Sequence, residues 1–306
     1  KQYLENRKVI WITNKVLFAK NLDGRLTAKE LNFTNYKDVK GNVEQRKLVY
    51  KNTNKLVINL ESLHYTLGIE YDVVIIDEIE SLYASFLNEK THSNIGKNFT
   101  NNYAAFENHL FKAKKIFAMD AFLHKRTKEY LEIIRPSITT NMIMRCKDID
   151  DMKKYVIDMH YMEWLNQIIT DIRNGKNLYI YYPHKTAKGS VLKISMDDFK
   201  RMLKDECGLE EDEIEIYHSG VSQKVKKQLL NATDVWSTKR IIITNSSITV
   251  GINYDDKDRQ DFNGVNHFDR CYLCYADFVN PRDVIQTSMR VRQFEENDFI
   301  YLTHLP

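Results

Sequence analysis

The sequence has few of the features that disulfide-stabilised, metal-binding or membrane proteins need. It contains only four cysteines, and only Cys271 and Cys274 form a C-x-x-C pair, with no second pair that would complete a zinc site. Because this pair lies in an apolar run, we predict buried free thiols. No apolar run reaches the ~18–20 residues that span a bilayer, and residues 1–7 are charged and lack the apolar part of a signal peptide. We therefore expect an intracellular protein that does not bind membranes.

Glycine (10) and proline (4) are scarce, and no low-complexity tract or short tandem repeat is evident. The hydrophobic content of 43% and the charged content of 28% are ordinary for a globular protein. The net charge of +3 does not by itself indicate DNA binding, although a cleft can be basic while the total is nearly balanced. At roughly 100–200 residues per domain, the length of 306 residues indicates two domains.

Short apolar strands alternate with helical stretches in the first half of the chain, and this alternation predicts a doubly wound parallel sheet. The clearest strand, Asp72–Asp77, has consecutive apolar residues, as expected of a parallel strand covered on both faces. The other predicted elements are the strands Lys8–Thr13, Leu56–Leu60 and Lys115–Asp120 and the helices Ser81–Asn88 and Asn101–Lys114.

The same pattern restarts after a polar segment, Arg145–Lys153, which we take as the boundary between two α/β lobes, 1–147 and 148–306. Here Tyr155–Arg173 reads as one helix that ends at Gly175. The remaining predicted elements are the helix Met196–Glu206 and the strands Asn177–Tyr182, Glu213–Tyr217, Lys239–Thr244, Arg270–Tyr275 and Asp298–Leu302.

Acidic residues follow the ends of two strands of the first lobe. Asp77 and Glu78 come directly after the clearest strand, and the ends of parallel strands face the ligand crevice. An aspartate there can hold Mg²⁺, and a neighbouring glutamate can deprotonate an attacking water. Asp120 ends the next strand and would lie on the same edge. The alternatives are an ordinary strand terminus for Asp77 and Glu78 and a helix N-cap for Asp120.

Two polar segments of the second lobe also suit a phosphate ligand. The run from Ile243 to Asn253 ends a strand with hydroxyls and a glycine, although a simple Ser/Thr-rich turn is the alternative. Pro281 begins a helix that leads to Arg290 and Arg292, which could neutralise charge during phosphoryl transfer or could be ordinary surface arginines.

Aromatic residues near a strand end have two interpretations. Tyr179, Tyr181 and Tyr182 could stack on nucleobases, but their spacing also suits the core of a strand, which we favour. His218 follows another strand and would either contact a sugar or phosphate or close a capped turn.

Taken in order, these segments resemble the motifs of superfamily 2 helicases, most closely the ATPase core of herpesvirus-type replication-origin-binding proteins and their relatives in large DNA viruses. The resemblance covers nearly the whole chain. The segments similar to motifs Ia, Ib, II, III, IV, V and VI are, in that order, Val9–Leu22, Val57–Leu63, Asp77–Glu80, Met119–Phe122, Tyr179–Lys185, Thr244–Asn253 and Gln286–Arg292.

This resemblance implies two tandem RecA-like lobes that bind ATP and Mg²⁺ between them and carry nucleic acid across both. Asp77 would coordinate Mg²⁺, Glu78 would be the catalytic base, and Asp120 would couple hydrolysis to lobe movement. Gln286, Arg290 and Arg292 would face the nucleotide, with Gly251 and Asn253 beside it. The residues implied to line the strand-binding groove are Thr13, Asn14, Lys15, Ser62, His184, Lys185 and Thr249.

The sequence departs from the family pattern at several positions. Motif II ends in Glu80 where the commonest subgroups have aspartate or histidine. Met289 and Gln293 replace a glycine and an arginine, so either Arg290 or Arg292 could be the arginine finger. Thr244 lies one residue further from Gly251 than in many relatives, which leaves its role open.

The largest departure is that no segment fits the phosphate-loop pattern G-x-x-x-x-G-K-[ST]. We therefore expect the loop to lie outside these residues, and the 306-residue chain to bind ATP weakly and not to hydrolyse it. In the resulting hypothesis, the chain is the core of an ATP-dependent DNA helicase or translocase of viral DNA replication, at the host cytoplasm or nucleus. Its partners would be single-stranded or forked DNA and other replication proteins. The alternatives are a catalytically incomplete nucleic-acid-binding scaffold and a restriction or chromatin translocase.

Overall fold

The computed structural model describes residues 2–14, 26, 31–86, 98–136, 143, 154–185, 194–246, 252–296 and 299–305. The chain divides into two compact units, Lys1–Met144 and Arg145–Pro306. Each unit contains a parallel sheet flanked by helices, which confirms the predicted α/β class with two lobes. Within the described ranges, no helix combines the length and the apolar character needed to cross a membrane.

The first unit is built on a five-stranded sheet whose described strand pairs are all parallel. Its strands are β1 (Val9–Thr13), β2 (Thr34–Asn35), β3 (Lys55–Asn59), β4 (Val73–Asp77) and β5 (Lys115–Met119). They lie in the order β2-β3-β1-β4-β5. The inner strands β1, β3 and β4 are almost wholly buried, as their consecutive apolar residues predict, whereas the edge strand β5 is partly exposed along its length.

Helices pack on this sheet and connect its parallel strands. They are α1 (Val43–Asn52), α2 (Ile79–Phe86), α3 (Phe99–Lys112) and α4 (Lys125–Ile134), with a 3₁₀ helix at Leu60–Thr66. The sequence predicted α2 and α3 to within two residues at each end. It missed α1 and α4, because each has a single buried residue, Tyr50 and Thr127, and neither shows a stripe of buried apolar residues.

The second unit contains a six-stranded sheet, again with every described pair parallel. Its strands are β6 (Tyr155–Met159), β7 (Leu178–Tyr181), β8 (Ile214–Tyr217), β9 (Ile241–Thr244), β10 (Arg270–Ala276) and β11 (Phe299–Leu305). They lie in the order β6-β11-β10-β7-β9-β8. The helices of this unit are α5 (Tyr161–Arg173), α6 (Met196–Cys207), α7 (Gln223–Gln228), α8 (Ala232–Trp236) and α9 (Pro281–Ser288).

The single helix predicted for Tyr155–Arg173 is wrong, because its first five residues form the strand β6. This strand pairs with β11 in the register Tyr155 to Phe299, and the helix begins only at Tyr161, after the N-cap His160. An edge strand with exposed residues does not show the continuous apolar run of a buried strand. Pairing with β11, which is distant in sequence, decided the conformation.

Aromatic rings fill the core of the second unit. The ring of Tyr182 stacks on that of Phe199 with centroids 4.5 Å apart, and the ring of Trp164 stacks on Phe199 with centroids 6.1 Å apart. Tyr179 and Tyr181 are fully buried as well. The core interpretation of these tyrosines is therefore confirmed, and the base-stacking alternative is wrong.

The C-x-x-C pair lies inside this same core, on β10. Cys271 and Cys274 are buried free thiols, as predicted. Burial raises the pKa of Cys271 to about 12, which keeps its sulfur protonated and unsuited to metal binding.

Candidate nucleotide and nucleic-acid sites

Asp77 and Asp120 lie at the same edge of the first sheet. Asp77 is the last residue of β4, it pairs with Met119 of β5, and Asp120 follows directly. Both side chains are half-buried. The sequence predicted this proximity because parallel strands end at one edge.

Glu78 occupies the left-handed backbone region with φ of +56°, and it is the only non-glycine residue of the described chain with a positive φ. Its N–H donates to Asp77 Oδ1 at 3.1 Å, so the turn from β4 into α2 also orients the aspartate. The left-handed conformation destabilises a non-glycine residue by about 1–3 kcal/mol, and residues in this conformation cluster at functional sites. The turn holds Glu78 half-buried beside Asp77.

Asp120 ties the end of β4 to the end of β5. One oxygen, Oδ2, accepts from the N–H of Glu80 at 3.0 Å, and Oδ1 accepts from the N–H of Phe122 at 2.7 Å. The helix α4 begins later and has His124 as its N-cap, so the N-cap interpretation of Asp120 is wrong. A displacement of Asp120 would therefore move the segment that carries Asp77 and Glu78.

Glu80 connects the same segment to α4 through hydrogen bonds. Its side chain is only 3% exposed, and its oxygens accept from the N–H of His124 at 2.9 Å, from the hydroxyl of Thr127 and from Arg126 at 3.1 Å. Burial alone would raise the pKa of Glu80, but these hydrogen bonds outweigh it and hold the pKa below its usual value. The sequence marked Glu80 only as a departure from the family pattern. An acidic residue inside the apolar start of α2 was the available signal that it is anchored.

Ser62 lies half-buried in the 3₁₀ helix after β3, and α3 fixes this segment. The amide of Asn102 accepts from the N–H of His64 at 2.7 Å and donates to the carbonyl of Glu61 at 3.3 Å. Both contacts flank Ser62. The position of Ser62 therefore depends on α3 rather than on β3 alone.

His109 of α3 makes a second contact with the same 3₁₀ helix. The hydroxyl of Thr66 donates to the carbonyl of Leu63 at 2.6 Å, so it accepts from His109 Nε2, which lies 2.7 Å away. The ring is therefore neutral with its proton on Nε2, and Nδ1 is buried without a hydrogen-bond partner in the described chain. Burial lowers the pKa of His109 to about 4.

This histidine predicts an acid-sensitive first unit. An unfolded histidine binds a proton below pH ~6.5, but folded His109 does so only near pH 4, so stability is full above pH 6.5 and falls as the pH drops toward 4. We expect a loss of about 2 kcal/mol between pH 7 and pH 5 that His109→Gln removes. Urea unfolding followed by tryptophan fluorescence, to which Trp11 contributes from the first unit, would measure it, with the exposed His124→Gln as control. Equal pH dependence in wild type and His109→Gln would contradict the assignment.

The nucleic-acid residues predicted in the first unit differ in exposure. Thr13 is completely buried at the end of β1, so its assignment to a strand-binding groove is wrong. Thr13 pairs with Asn59 of β3, which is also buried, so the end of this inner strand lies in the core. Asn14, the next residue, is half-buried, and Lys15 lies outside the described residues.

In the second unit, the segments after β9 and α9 meet. Tyr254 and Val291 form a parallel bridge, and the N–H of Arg292 donates to the carbonyl of Tyr254 at 2.9 Å. Arg290 donates to the carbonyls of Gln286 at 3.0 Å and Ile252 at 3.1 Å. The structure thus brings together two segments that the sequence separates by more than 30 residues.

The two candidate finger arginines have different environments. The guanidinium of Arg290 is half-buried and also reaches the amide oxygen of Asn253 at 3.5 Å, whereas the side chain of Arg292 is exposed. Gln286 is only 2% exposed. As predicted, α9 begins at Pro281, behind the N-cap Asn280. Of the two, Arg292 is the more exposed arginine, and Arg290 joins the two segments.

Thr244 at the end of β9 is buried, and its hydroxyl lies 2.9 Å from the hydroxyl of Tyr179. This contact gives Thr244 a place in the core. Thr249 and Gly251 lie outside the described residues. Asn253 is exposed where the described chain resumes.

At the end of β7, His184 is largely buried and Lys185 is exposed. His218, at the end of β8, accepts from the N–H of Gly220 at 3.0 Å, which confirms the capped-turn interpretation. A Cβ at Gly220 would come within 2.9 Å of Lys185 Cε, so the turn packs against the lysine stem. Burial lowers the pKa of His218. The negative charge of Asp197 acts in the opposite direction, and the positive charge of Lys185 lowers the pKa further.

The donor set at Asp77 fits a magnesium ion. No group of three or more potential metal-ligating side chains occurs among the described residues, so a dedicated protein cage is absent there. Magnesium is usually bound by one or two carboxylates together with substrate phosphates and water. A single half-buried carboxylate at a strand end meets that requirement.

The chain is similar in sequence to known proteins of DNA viruses. The profile of the family described as "Origin of replication binding protein" matches residues 1–160. A putative replication origin-binding protein of Acanthamoeba polyphaga mimivirus is 24% identical over 300 residues, which are 96% of this chain and 34% of that protein. A putative helicase/primase complex protein of African swine fever virus (isolate Warthog/Namibia/Wart80/1980) is 25% identical over 261 residues, 83% of this chain and 22% of that protein. The chain thus spans about a third or less of the length of these relatives.

Solved structures share the fold. The Mycobacterium smegmatis helicase Lhr bound to single-stranded DNA and AMP-PNP superposes with a TM-score of 0.57 at 12% identity over 97% of this chain and 40% of that one. S. cerevisiae Dbp5 bound to RNA and ADP BeF3 gives 0.56 at 10% identity over 97% of this chain and 71% of that one. Such low identities show the fold alone, two helicase-type α/β lobes.

The resemblance inferred from the motifs is therefore confirmed independently by sequence relatives and by fold. The family profile extends over 160 of the 306 residues, which is slightly more than half of the chain and includes the whole first unit. The chain belongs to the family of origin of replication binding proteins.

Proposed function

We propose that the chain is the motor core of an ATP-dependent DNA helicase or translocase that acts in DNA replication of the viral type. The observation that carries this proposal is Glu78, which is held in a left-handed conformation beside Asp77 at the end of a buried central strand. Strain of this kind persists where the surrounding structure enforces it for function.

In the first unit, Asp77 would hold Mg²⁺ together with the phosphates of ATP. When bound, Mg²⁺ neutralises the charge that develops on the transferred phosphoryl group. Glu78 would orient the attacking water and accept its proton. Asp120, through the N–H of Glu80, would pass a change at this edge to the rest of the unit.

In the second unit, we assign the arginine finger to Arg292, because its side chain is exposed while Arg290 is bonded to the carbonyls of Gln286 and Ile252. Arg290 would hold Asn253 and the following segment in place. A guanidinium group near the γ-phosphate stabilises charge in the transition state. Buried Gln286 would support this arrangement from α9, and Gly251 would approach the nucleotide with its backbone.

Nucleic acid would contact polar and basic residues at the sheet edges of both units. From the first unit these are Asn14, Lys15 and Ser62, and from the second Lys185 and Thr249, whereas His184 is largely buried and would act by positioning Lys185. Such contacts fall mainly on phosphates, so binding should be salt-dependent and largely independent of sequence. We favour DNA because relatives of this chain are described as replication origin-binding proteins.

The test is ATP hydrolysis by the full-length protein that contains this chain, with and without single-stranded DNA. We expect turnover that DNA stimulates, that EDTA abolishes and that Arg292→Lys lowers. Arg201→Lys, an exposed arginine on α6 of the same unit, should leave the rate unchanged. DNA binding without ATP hydrolysis would contradict the motor and favour the scaffold alternative.

A further inference from the structure

The loop between β10 and α9 presents an aromatic ring to solvent. Phe278 is 68% exposed, the largest fraction among the exposed phenylalanines and tyrosines of the described residues. An exposed phenylalanine leaves apolar surface in water and stabilises the folded chain little. A single exposed apolar side chain is common on protein surfaces, so the case for a ligand at Phe278 rests on the groups around the ring.

The backbone on both sides of Phe278 is fixed. The N–H of Val279 donates to the carbonyl of Ala276 at 2.8 Å, and Val279 is itself buried. Before it, Asp277 Oδ1 lies 2.8 Å from His304 Nε2 of β11. After it, Asn280 caps α9. Phenylalanine has only two side-chain torsions, so with its backbone fixed it loses little conformational entropy when a ligand covers the ring.

The surroundings of this ring indicate the kind of ligand. Strands β7 and β10 are neighbours, so the residues that follow them lie at one edge of the sheet. The ring of Phe278 is 5.3 Å from that of His184 at an angle of 66°, and the exposed Lys185 follows His184. An apolar planar face beside a cation suits a nucleotide unit, whose base is planar and whose phosphate is anionic.

We propose that Phe278 is a stacking platform for a base of the single strand whose phosphates contact Lys185. This inference rests on the proposed function and extends it, because it adds a contact with the base to contacts with phosphate. Stacking of this type tolerates every base, so it suits a motor that moves along any sequence. The adenine of ATP has the same chemistry, and the experiment separates the two sources.

The experiment measures the affinity of the full-length protein for oligo(dT) and for an abasic oligonucleotide of equal length, without ATP, by fluorescence anisotropy. We expect Phe278→Ala to weaken oligo(dT) binding by about 5- to 100-fold. Phe278→Trp should restore it, because indole also stacks. Both variants should bind the abasic strand as the wild type does, since only phosphate contacts remain.

Phe299→Ala is the matched control, because Phe299 is 40% exposed at the start of β11, on the opposite edge of the same sheet. If Phe278→Ala binds oligo(dT) as tightly as the wild type does, the stacking role alone is overturned. If the wild type itself does not bind DNA, the proposed function is overturned as well. If Phe278→Ala weakened binding of the abasic strand as much as binding of oligo(dT), the ring would only position Lys185, and the stacking proposal would be overturned. Weaker binding of a fluorescent ATP analogue, with DNA affinity unchanged, would assign the ring to the nucleotide and overturn the proposal.

Discussion

Replacing Glu78 with glutamine in the full-length protein is expected to lower the rate of ATP hydrolysis by about 10²- to 10⁴-fold. Glutamine has nearly the same size and can keep the backbone turn, but its amide cannot accept a proton from water. The affinity for ATP depends on the contacts of Asp77 and Mg²⁺ with the phosphates and does not require a group that accepts a proton. The loss should therefore fall on kcat and leave KM nearly unchanged.

The control for this experiment is Glu129→Gln, which removes a half-exposed carboxylate from α4 of the same unit. Glu78→Gln should unfold at the same urea concentration as the wild type, which would exclude a folding defect. DNA affinity should also be unchanged, since Glu78 is not among the residues proposed to bind the strand. Full ATPase activity in Glu78→Gln would show that Glu78 is not the catalytic base, and catalysis would then not explain the strained turn.

The second large effect concerns stability of the second unit. Asp171, near the end of α5, is 2% exposed and carries a buried polar network. Arg270 donates to both of its oxygens at 3.0 and 2.8 Å, and Tyr272 donates to Oδ2 at 2.5 Å. Glu296 and Lys176 complete the cluster around Arg270. The network joins α5 to β10 at the edge of the sheet opposite the predicted ligand residues.

Asp171→Ala should lower the free energy of unfolding by about 2–4 kcal/mol, because the hydroxyl of Tyr272 loses its acceptor and the largely buried guanidinium of Arg270 keeps only Glu296 as a carboxylate partner. Urea unfolding can be followed by tryptophan fluorescence, since Trp164 and Trp236 are both buried in this unit. Glu163→Ala, an exposed change in the same helix, should cost less than about 0.5 kcal/mol. A loss below about 1 kcal/mol for Asp171→Ala would mean that water replaces the carboxylate.

Elements with strong local signals were predictable from sequence. Strand β4 was recognised because consecutive apolar residues lead directly into Asp77 and Glu78, and β7 and β9 because they are short runs bounded by polar residues. The shared edge of Asp77 and Asp120 followed from a general property of parallel sheets. Strand β6 was missed, because an exposed edge strand is defined by its partner rather than by its own residues.

The sequence by itself determined the α/β class, the alternation of strands and helices in two lobes and the order of the polar segments, since each depends on residues that are close in the chain. Tertiary structure alone decided that Thr13 is buried, that Glu80 anchors α4 and that Arg290 is bonded while Arg292 is exposed. These outcomes depend on contacts between residues about 40 positions apart or on enclosure by neighbouring strands. Burial and hydrogen bonding depend on which segments meet in space, and the periodicity of apolar residues along the sequence does not specify those contacts.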